Sequence, residues 1–267
     1  MINKLKILTD KYLDIYKTKL SVSPDILYQK MEKIKIQVDY FEFYNSVSSV
    51  YSSKIEGENI DFDSFFKHKF MNVKFKPDYT KKADDLYSAY EFILNNEISG
   101  DNIITIHKIL SNNLLPSDQQ GLIRTNPMFV LNQKDEIEYV AADQKIVKTE
   151  LDKLFSDIKT LIELKLDSYE IFYYASLIHL VFVKIHPFQD GNGRSARLIE
   201  KWFLISKLGK EAINIPSEKN YFNNIKDYYA NIKKLGLEYE ELNYQNCIEF
   251  LLMLPNSMIE IKEPNMR

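Results

Sequence analysis

The sequence predicts an all-α fold that carries one short β-hairpin. Apolar residues recur at intervals of three and four along most of the 267 residues, which is the spacing of helices with one buried face. The chain has only seven glycines, and this low number disfavours a fold with many tight turns between strands. One stretch alone has two short apolar runs on either side of a polar turn.

The same spacing places the individual elements. The hairpin is predicted over residues 127–140, with one strand up to residue 131 and the other at 137–140. Helices are predicted over residues 3–19, 24–51, 61–70, 80–97, 101–113, 145–164, 168–185, 193–207, 218–235 and 240–254.

Composition favours a soluble protein with one main domain, because 267 residues is near the size at which a single core stops growing. A formal net charge of −3 argues against nucleic acid as a partner. The longest apolar run, 177–183, is interrupted by His179 and is too short to span a membrane. A first segment without a signal-peptide pattern, and a lone Cys247 that cannot form an internal disulfide, predict a cytoplasmic location.

A short loop joins the predicted helices at 168–185 and 193–207. Pro187 disfavours helical geometry in the residue before it, so His186 is predicted as the last residue of the first helix. There it lies at the negative end of the helix dipole, where an imidazolium is moderately favoured. The first helix has a buried stripe formed by Ile171, Ala175, Ile178, Phe182 and Ile185.

This loop has the composition of an anion-binding site. Gly191 and Gly193 precede a helix N-terminus, whose unpaired N–H groups they allow to turn toward one point. Arg194 and Arg197 are three residues apart and project from one side of the next helix, which suits a di- or triphosphate better than one phosphate. Asp190 is a candidate Mg²⁺ ligand when a nucleotide is bound.

His186 is the candidate base of this loop, because an imidazole with an ordinary pKa of about 6.5 can accept a proton from an attacking hydroxyl. Taken singly, a histidine at a helix end, an Asp-Gly turn and paired arginines are usually structural. Gly191, Gly193 and Ala196 also match the glycine pattern of dinucleotide-binding folds, but the preceding segment is too long for a strand and no βαβ series surrounds it. A zinc site at His179 and His186 lacks further ligands at suitable spacing.

The run HPFQDGNGRSAR, residues 186–197, resembles the signature H-x-F-x-[DE]-G-N-G-R-x-x-R of the Fic family at all eight fixed positions. The resemblance implies a helical core with a β-hairpin flap, and transfer of AMP from ATP to a protein hydroxyl. It implies that His186 is the general base and that Asp190 holds Mg²⁺. It further implies phosphate binding by Gly191, Asn192, Gly193, Arg194 and Arg197.

The resemblance extends to neighbouring segments. The hairpin at 127–140 is similar to the family's flap, on which an extended segment of a target protein would dock as an added strand. Gly121 and Arg124 fit the G-x-x-R that often precedes the flap. The nucleotide-binding candidates in these segments are Phe129, Val130, Tyr228 and Tyr229. The implied domains are an N-terminal helical region at 1–84, a Fic core at 85–240 and a C-terminal helix and tail at 241–267.

A second motif predicts an internal inhibitor. The run SSKIEG, residues 52–57, resembles the Fic inhibitory motif [ST]-x-x-x-E-[GN]. Ser52 and Glu56 share a helix face, and Gly57 is a natural residue to end that helix. The resemblance favours pairing of Glu56 with Arg197, which would withhold the guanidinium from the γ-phosphate of ATP.

Three functions remain open from the sequence. The favoured one is an autoinhibited adenylyltransferase that modifies a Ser, Thr or Tyr hydroxyl. The second is a deAMPylase in which Glu56 positions water, and the third is a non-catalytic nucleotide-responsive binding module. The sequence does not decide whether the chain forms a homo-oligomer.

Overall fold

A computed structural model describes residues 5–31, 39–131 and 136–259. Within these ranges the chain forms α-helices and one two-stranded antiparallel sheet, as the sequence predicts. The helices are α1 (Leu13–Lys19), α2 (Pro24–Met31), α3 (Tyr40–Ile55), α4 (Phe62–Met71), α5 (Pro77–Asn95), α6 (Gly100–Leu110), α7 (Val147–Glu163), α8 (Ser168–Ile185), α9 (Asn192–Leu208), α10 (Ser217–Asn223), α11 (Ile225–Lys233) and α12 (Ile248–Asn256). The strands are β1 (Phe129–Leu131) and β2 (Ile137–Val140).

The core of the fold is the pair α8 and α9, which pack along each other. Residues 171–185 of α8 are all buried, as expected of a helix whose sequence is apolar almost all round. A capping box fixes the start of α8, because Asp167 and Glu170 each accept a hydrogen bond from the other's backbone N–H. Helices α5, α6, α7 and α12 surround this pair and complete the core.

Helix α3 approaches the core closely because one of its faces is built from serines. Asp39 caps its N-terminus by accepting the N–H of Glu42, and Gly57 turns the chain away after its C-terminus with a positive φ of 84°. Small side chains let the backbone come close to α5 and α10. The buried serines are Ser46, Ser48, Ser49, Ser52 and Ser53.

The hairpin is anchored at its base and open at its edge. Val130 of β1 pairs with Tyr139 of β2, and Val140 donates its N–H to the carbonyl of Leu237. Tyr139 is buried, whereas Phe129 is 52% exposed. The predicted turn between the two strands, residues 132–135, lies outside the described residues.

Two predicted N-terminal helices are shorter or divided. The helix predicted at 3–19 begins only at Leu13, because the backbone N–H groups of residues 6–8 donate to the buried carboxylate of Asp157 instead of forming a helix. The helix predicted at 24–51 is two helices, since α2 ends at Met31 and Asp39 caps a new one. Residues 3–4 and 32–38 lie outside the described residues.

Two C-terminal predictions were also too long. The helix predicted at 218–235 is divided at Asn224, whose backbone leaves helical geometry between α10 and α11. The helix predicted at 240–254 starts at Ile248, because the side chain of Asn243 accepts the N–H of Gln245 and favours a short 3₁₀ turn. None of the helices in the described ranges combines the length and the apolar character that crossing a bilayer requires.

Candidate active site

The loop between α8 and α9 is fixed by a buried phenylalanine and by the asparagine that follows it. Helix α8 ends at Ile185. His186, which the sequence predicts as the last helical residue, instead adopts left-handed geometry with φ 53° and is the C-cap of the helix. Phe188 is fully buried and stacks on the ring of His107 at 3.6 Å. The side chain of Asn192 accepts the N–H of Phe188 and donates to its carbonyl. The side chain of Asn192 therefore fixes the loop.

His107 is a site residue that the sequence analysis missed. Its Nδ1 accepts the N–H of Gly121 at 2.9 Å, so the neutral ring carries its proton on Nε2, which donates to the carbonyl of Asp190 at 2.9 Å. Burial lowers the pKa of His107 to about 4, which keeps the ring in this neutral form. A histidine on a buried helix face has no sequence signal that separates it from a packing residue.

Arg124 fastens the loop to the base of the hairpin. Its guanidinium donates to the carbonyls of Ile185, His186, Ala142 and Asn126, at distances between 2.5 and 3.2 Å. Two of these carbonyls terminate α8, where cations are favoured. The G-x-x-R pair noted in the sequence thus forms a structural clamp, with Gly121 held by His107 and Arg124 holding the loop.

The imidazole of His186 is held by a backbone carbonyl. Residue 187 is a proline without an N–H, so the carbonyl of Val183, four residues earlier, has no helical donor. His186 Nδ1 lies 3.2 Å from this oxygen. A carbonyl can only accept, so the proton lies on Nδ1 and the lone pair on Nε2.

The expectation of a favoured imidazolium is wrong. Burial, with a smaller contribution from the charge of Arg124, lowers the pKa of His186 to about 4 against opposing contributions from the Val183 carbonyl and Glu56. The ring is therefore neutral at pH 7, with Nε2 in the form that can accept a proton.

Arg197 is fully buried and is held mainly by α3. Its Nε donates to the hydroxyl of Ser52 at 3.0 Å, and Nη2 donates to the Ser52 carbonyl at 3.2 Å. The hydroxyl of Tyr228 lies 3.3 Å from Nη1. The shortest contact is the ion pair from Nη2 to Glu56 Oε1, at 2.6 Å.

The Glu56 carboxylate lies against the N-terminus of α9. A Cβ on Gly193 would come within 2.6 Å of Glu56 Oε1, so only a glycine admits the carboxylate this closely. Burial raises the pKa of Glu56, but the charges of Arg197 and Arg194 and the hydrogen bond from Arg197 outweigh burial and leave the pKa below its ordinary value. Glu56 is therefore ionised at neutral pH, and its negative charge occupies a point of positive potential.

Arg194 is paired with a second acid, Glu58, which sequence reasoning missed. Arg194 Nη2 lies 3.3 Å from Glu58 Oε1, and Lys82 from α5 binds the same oxygen at 2.6 Å. The buried Nε of Arg194 has no hydrogen-bond partner in the described part of the chain. An unsatisfied buried donor at a cationic group indicates a site for an anion.

Comparisons with known proteins identify the domain. Residues 97–204 match the Fic/DOC family. This segment of the chain is therefore similar to Fic/DOC domains. The matched range includes the loop, both clamping residues and all of the hairpin, and it lies inside the core predicted at 85–240.

Two curated relatives share part of the sequence. The protein adenylyltransferase fic-1 of Caenorhabditis briggsae is 25% identical over 183 residues, which cover 64% of this chain and 33% of that protein. The protein of the same name from Caenorhabditis elegans is 28% identical over 143 residues, which cover 54% of this chain and 25% of that protein. The chain thus spans between a quarter and a third of the length of these relatives.

Solved structures share the fold. A Fic family protein from Desulfovibrio desulfuricans G20 matches with a TM-score of 0.70 at 17% identity, covering 93% of this chain and 71% of that one. Fic-1 from C. elegans matches with a TM-score of 0.63 at 16% identity, covering 93% of this chain and 69% of that one. The helical Fic fold therefore extends beyond residues 97–204 to nearly the whole chain.

The structure buries some of the predicted nucleotide contacts and exposes others. Tyr228 is 1% exposed and its hydroxyl lies 2.9 Å from His179 Nε2 and close to Arg197, so its ring presents no surface to a ligand. Tyr229 is partly exposed and donates to the carbonyl of Ile55. Val130 is half-buried beside the exposed Phe129.

His179 is fully buried on α8, seven residues before His186. Its Nδ1 lies 2.8 Å from the buried carboxylate of Glu200, with which Tyr221 also forms a hydrogen bond. Within the described ranges, the structure has no group of three or more histidine, cysteine or acidic residues that could hold a metal.

The loop residues fit a magnesium nucleotide. Asp190 is exposed, and one carboxylate oxygen accepts the N–H of Gly191 at 2.6 Å. Mg²⁺ takes one or two protein carboxylates and completes its shell with phosphate oxygens and water, so a lone exposed aspartate beside a phosphate site suffices. The unsatisfied Nε of Arg194 and the glycine at residue 193 fit the phosphates themselves.

Proposed function

We propose that this chain is an autoinhibited protein adenylyltransferase, which transfers AMP from ATP to a Ser, Thr or Tyr hydroxyl of a target protein. The observation that carries the proposal is the Glu56 carboxylate, paired with Arg197 and seated against Gly193 at the N-terminus of α9. An internal carboxylate at that point marks a place where the protein can bind an anion. The activity in the names of the two fic-1 relatives supports the same reaction.

The triphosphate would bind at the start of α9, where backbone N–H groups are unpaired and the helix dipole is positive. Gly191 and Gly193 let the phosphates approach the backbone, and Arg194 and Arg197 would bind the distal phosphates. Asp190 would hold Mg²⁺, which neutralises phosphate charge when bound. Tyr229, Phe129 and Val130 are the adenosine candidates, whereas Tyr228 supports Arg197.

His186 would act as the general base. Its Nε2 takes the proton from the target hydroxyl while that oxygen attacks the α-phosphorus of ATP. The new O–P bond forms as the bond to the bridging oxygen breaks, and pyrophosphate leaves with that oxygen. The two arginines stabilise the charge that develops on the leaving group.

The target would bind along the open edge of the hairpin. An extended peptide can pair with the main chain of an exposed strand, which holds its hydroxyl near His186 with little demand on sequence. The exposed side chains of Phe129, Leu131 and Ile137 are available to contact such a peptide.

Glu56 would act as the inhibitor by occupying Arg197. A nucleotide that binds without this guanidinium holds its α-phosphorus out of line with the attacking hydroxyl, which costs rate more than affinity. A partly desolvated charge pair of about 3 kcal/mol corresponds to about a hundredfold suppression.

The test is the rate of label transfer from α-labelled ATP to the protein itself and to proteins of a cell lysate. Glu56→Gly should raise transfer about a hundredfold over the wild type, and Glu56→Gln, which keeps the shape but loses the charge, should give an intermediate rise. The double variant Glu56→Gly/His186→Ala is the negative control. Unchanged labelling in Glu56→Gly would reject the inhibitory role.

The same proteins test the two alternatives. Release of AMP from an AMPylated target by the wild type, with loss of this release in Glu56→Gly, would support the deAMPylase instead. Nucleotide binding without transfer in any variant would support the non-catalytic module.

A further inference from the structure

Tyr139 extends from the hairpin into the catalytic loop. It lies on β2, is buried, and places its hydroxyl 3.1 Å from His186 Nδ1 and 3.2 Å from the carbonyl of Val183. The sequence motifs do not include this tyrosine. It nevertheless contacts the side chain that the proposed reaction needs as its base.

The proton arrangement around Tyr139 follows from Pro187. Because Pro187 has no N–H, the Val183 carbonyl depends on side-chain donors, and Tyr139 O–H is one of the two that the described residues place within reach. Once the tyrosine donates its proton to Val183, its oxygen can only accept from His186 Nδ1–H. The Nδ1 proton is then shared between two oxygen acceptors.

The opposite arrangement would disable the base. If Tyr139 donated to His186 Nδ1, the imidazole proton would lie on Nε2, and the Val183 carbonyl would lose both donors. An unsatisfied buried carbonyl carries a desolvation cost that the first arrangement avoids. The backbone at Pro187 therefore selects the tautomer in which Nε2 is free.

We propose that Tyr139 is a positioning residue, whose hydroxyl fixes the orientation of the His186 ring by accepting from Nδ1–H, while the Val183 carbonyl selects the tautomer. The use of this tautomer in catalysis rests on the proposed function, whereas the tautomer itself does not. Because Tyr139 belongs to the hairpin, the position of the base is coupled to the strand on which a target would dock.

The remainder of the tyrosine is held independently of its hydroxyl. Lys184 Nζ lies 4.1 Å from the centre of the Tyr139 ring and also donates to the carbonyl of Gly236. Tyr139 also pairs with Val130 across the hairpin, as the adjacent Val140 binds Leu237. A Tyr139→Phe variant would keep these contacts and lose the hydroxyl alone.

The experiment combines NMR with kinetics in the Glu56→Gly background. Two-bond ¹H–¹⁵N correlations of histidine report which ring nitrogen is protonated, and the His186 signals are those that disappear in His186→Ala. In the parent protein, these signals should show an Nδ1–H tautomer. In Tyr139→Phe the Nδ1–H form should persist, because the Val183 carbonyl still requires this proton, but the ring signals should shift because one of the two oxygen acceptors that orient the ring is gone.

The kinetic arm measures AMP transfer in the same proteins. Tyr139→Phe should lower kcat about tenfold and leave the KM for ATP unchanged, because the phosphate site is intact. Tyr173→Phe is the matched control, since it removes another buried tyrosine hydroxyl, which donates to the carbonyl of Thr9 and lies toward the opposite end of α8 from His186. The control should change neither the His186 signals nor kcat.

Two outcomes separate this inference from the proposed function. His186 signals that are the same in Tyr139→Phe and in the parent would overturn the inference, even if AMP transfer is robust. Shifted signals in proteins that transfer no AMP would support the positioning role and reject the proposed function.

Discussion

The α8–α9 loop and the segment that follows α3 meet at one site but are held in different ways. The loop is fastened by hydrogen bonds to its own backbone from His107, Arg124 and Asn192. The segment reaches the site through two carboxylates, Glu56 and Glu58, which bind side chains and remain 29% and 28% exposed. The loop would keep its geometry if the segment withdrew, since none of its three fastening residues belongs to that segment.

This difference assigns separate roles to the two regions. Backbone-directed hydrogen bonds in a buried place define a rigid scaffold, as a catalytic geometry requires. Partly exposed ion pairs are weaker and can be replaced by another anion, such as a phosphate. The scaffold and the inhibitor should therefore respond separately to substitution.

The largest effect is expected for His186, the proposed general base. In the Glu56→Gly background, His186→Ala should lower the initial rate of AMP transfer about a thousandfold, within the usual contribution of a general base. ATP binding, measured by calorimetry, should be unchanged because the phosphate contacts remain. Equal loss of binding would indicate that His186 holds the nucleotide instead.

The protonation of His186 provides the next largest effect. Burial depresses its pKa to about 4, so the ring should stay neutral as the pH falls from 8 to 6 and should titrate with a midpoint near 4. The folded state disfavours the charged ring, so its contribution to stability is lost progressively as the pH falls below about 6.5. An NMR titration of the ring signals checks the midpoint, and a value near 6.5 would contradict a desolvated, neutral imidazole.

Removal of the Arg124 clamp tests the scaffold. Arg124→Met should lower the free energy of unfolding by about 2–3 kcal/mol, because it leaves several carbonyls without a donor. Its His186 ring signals should also shift. Thermal unfolding gives the stability change.

Lys207→Met is the matched control for the clamp. Lys207 also donates to three carbonyls at a helix end, those of Leu161, Ile162 and Leu164. Its loss should lower stability and leave the His186 signals unchanged. A shift of those signals in the control, or none in Arg124→Met, would argue against a local clamp.

The smallest effect is expected at Glu58. In the Glu56→Gly background, Glu58→Gln should raise AMP transfer about threefold to tenfold, since it releases Arg194 from a partly exposed pair. Lys82→Met should have the opposite effect, because Glu58 then has Arg194 as its remaining cation. Initial rates with labelled ATP measure both variants. If both change the rate in the same direction, Glu58 has no inhibitory role.

The sequence predicted the fold and the two motifs because both leave local signals. Three-and-four spacing predicted most of the helices, and alternation around a polar turn predicted the hairpin. The helix predicted at 24–51 was wrong because a capping residue, Asp39, outweighed continuous apolar spacing. In the same way, the N–H groups of residues 6–8 bind the carboxylate of Asp157 instead of forming the helix that the apolar spacing predicted.

The supporting residues of the site could not be predicted because they act over long sequence distances. His107, Tyr139 and Glu58 contact residues 83, 47 and 136 positions away. Their own neighbours in sequence form no motif with them. The pKa of His186 also depends on burial by distant elements, so its ordinary value was a poor guide.

The central claim is that the Glu56 carboxylate lies where the triphosphate binds. A crystal structure of Glu56→Gly soaked with ATP and Mg²⁺ tests it most directly. We expect phosphates at the start of α9, with Arg197 bound to the distal phosphate and His186 Nε2 facing the α-phosphorus. A nucleotide bound elsewhere, or His186 turned away from the α-phosphorus, would contradict it.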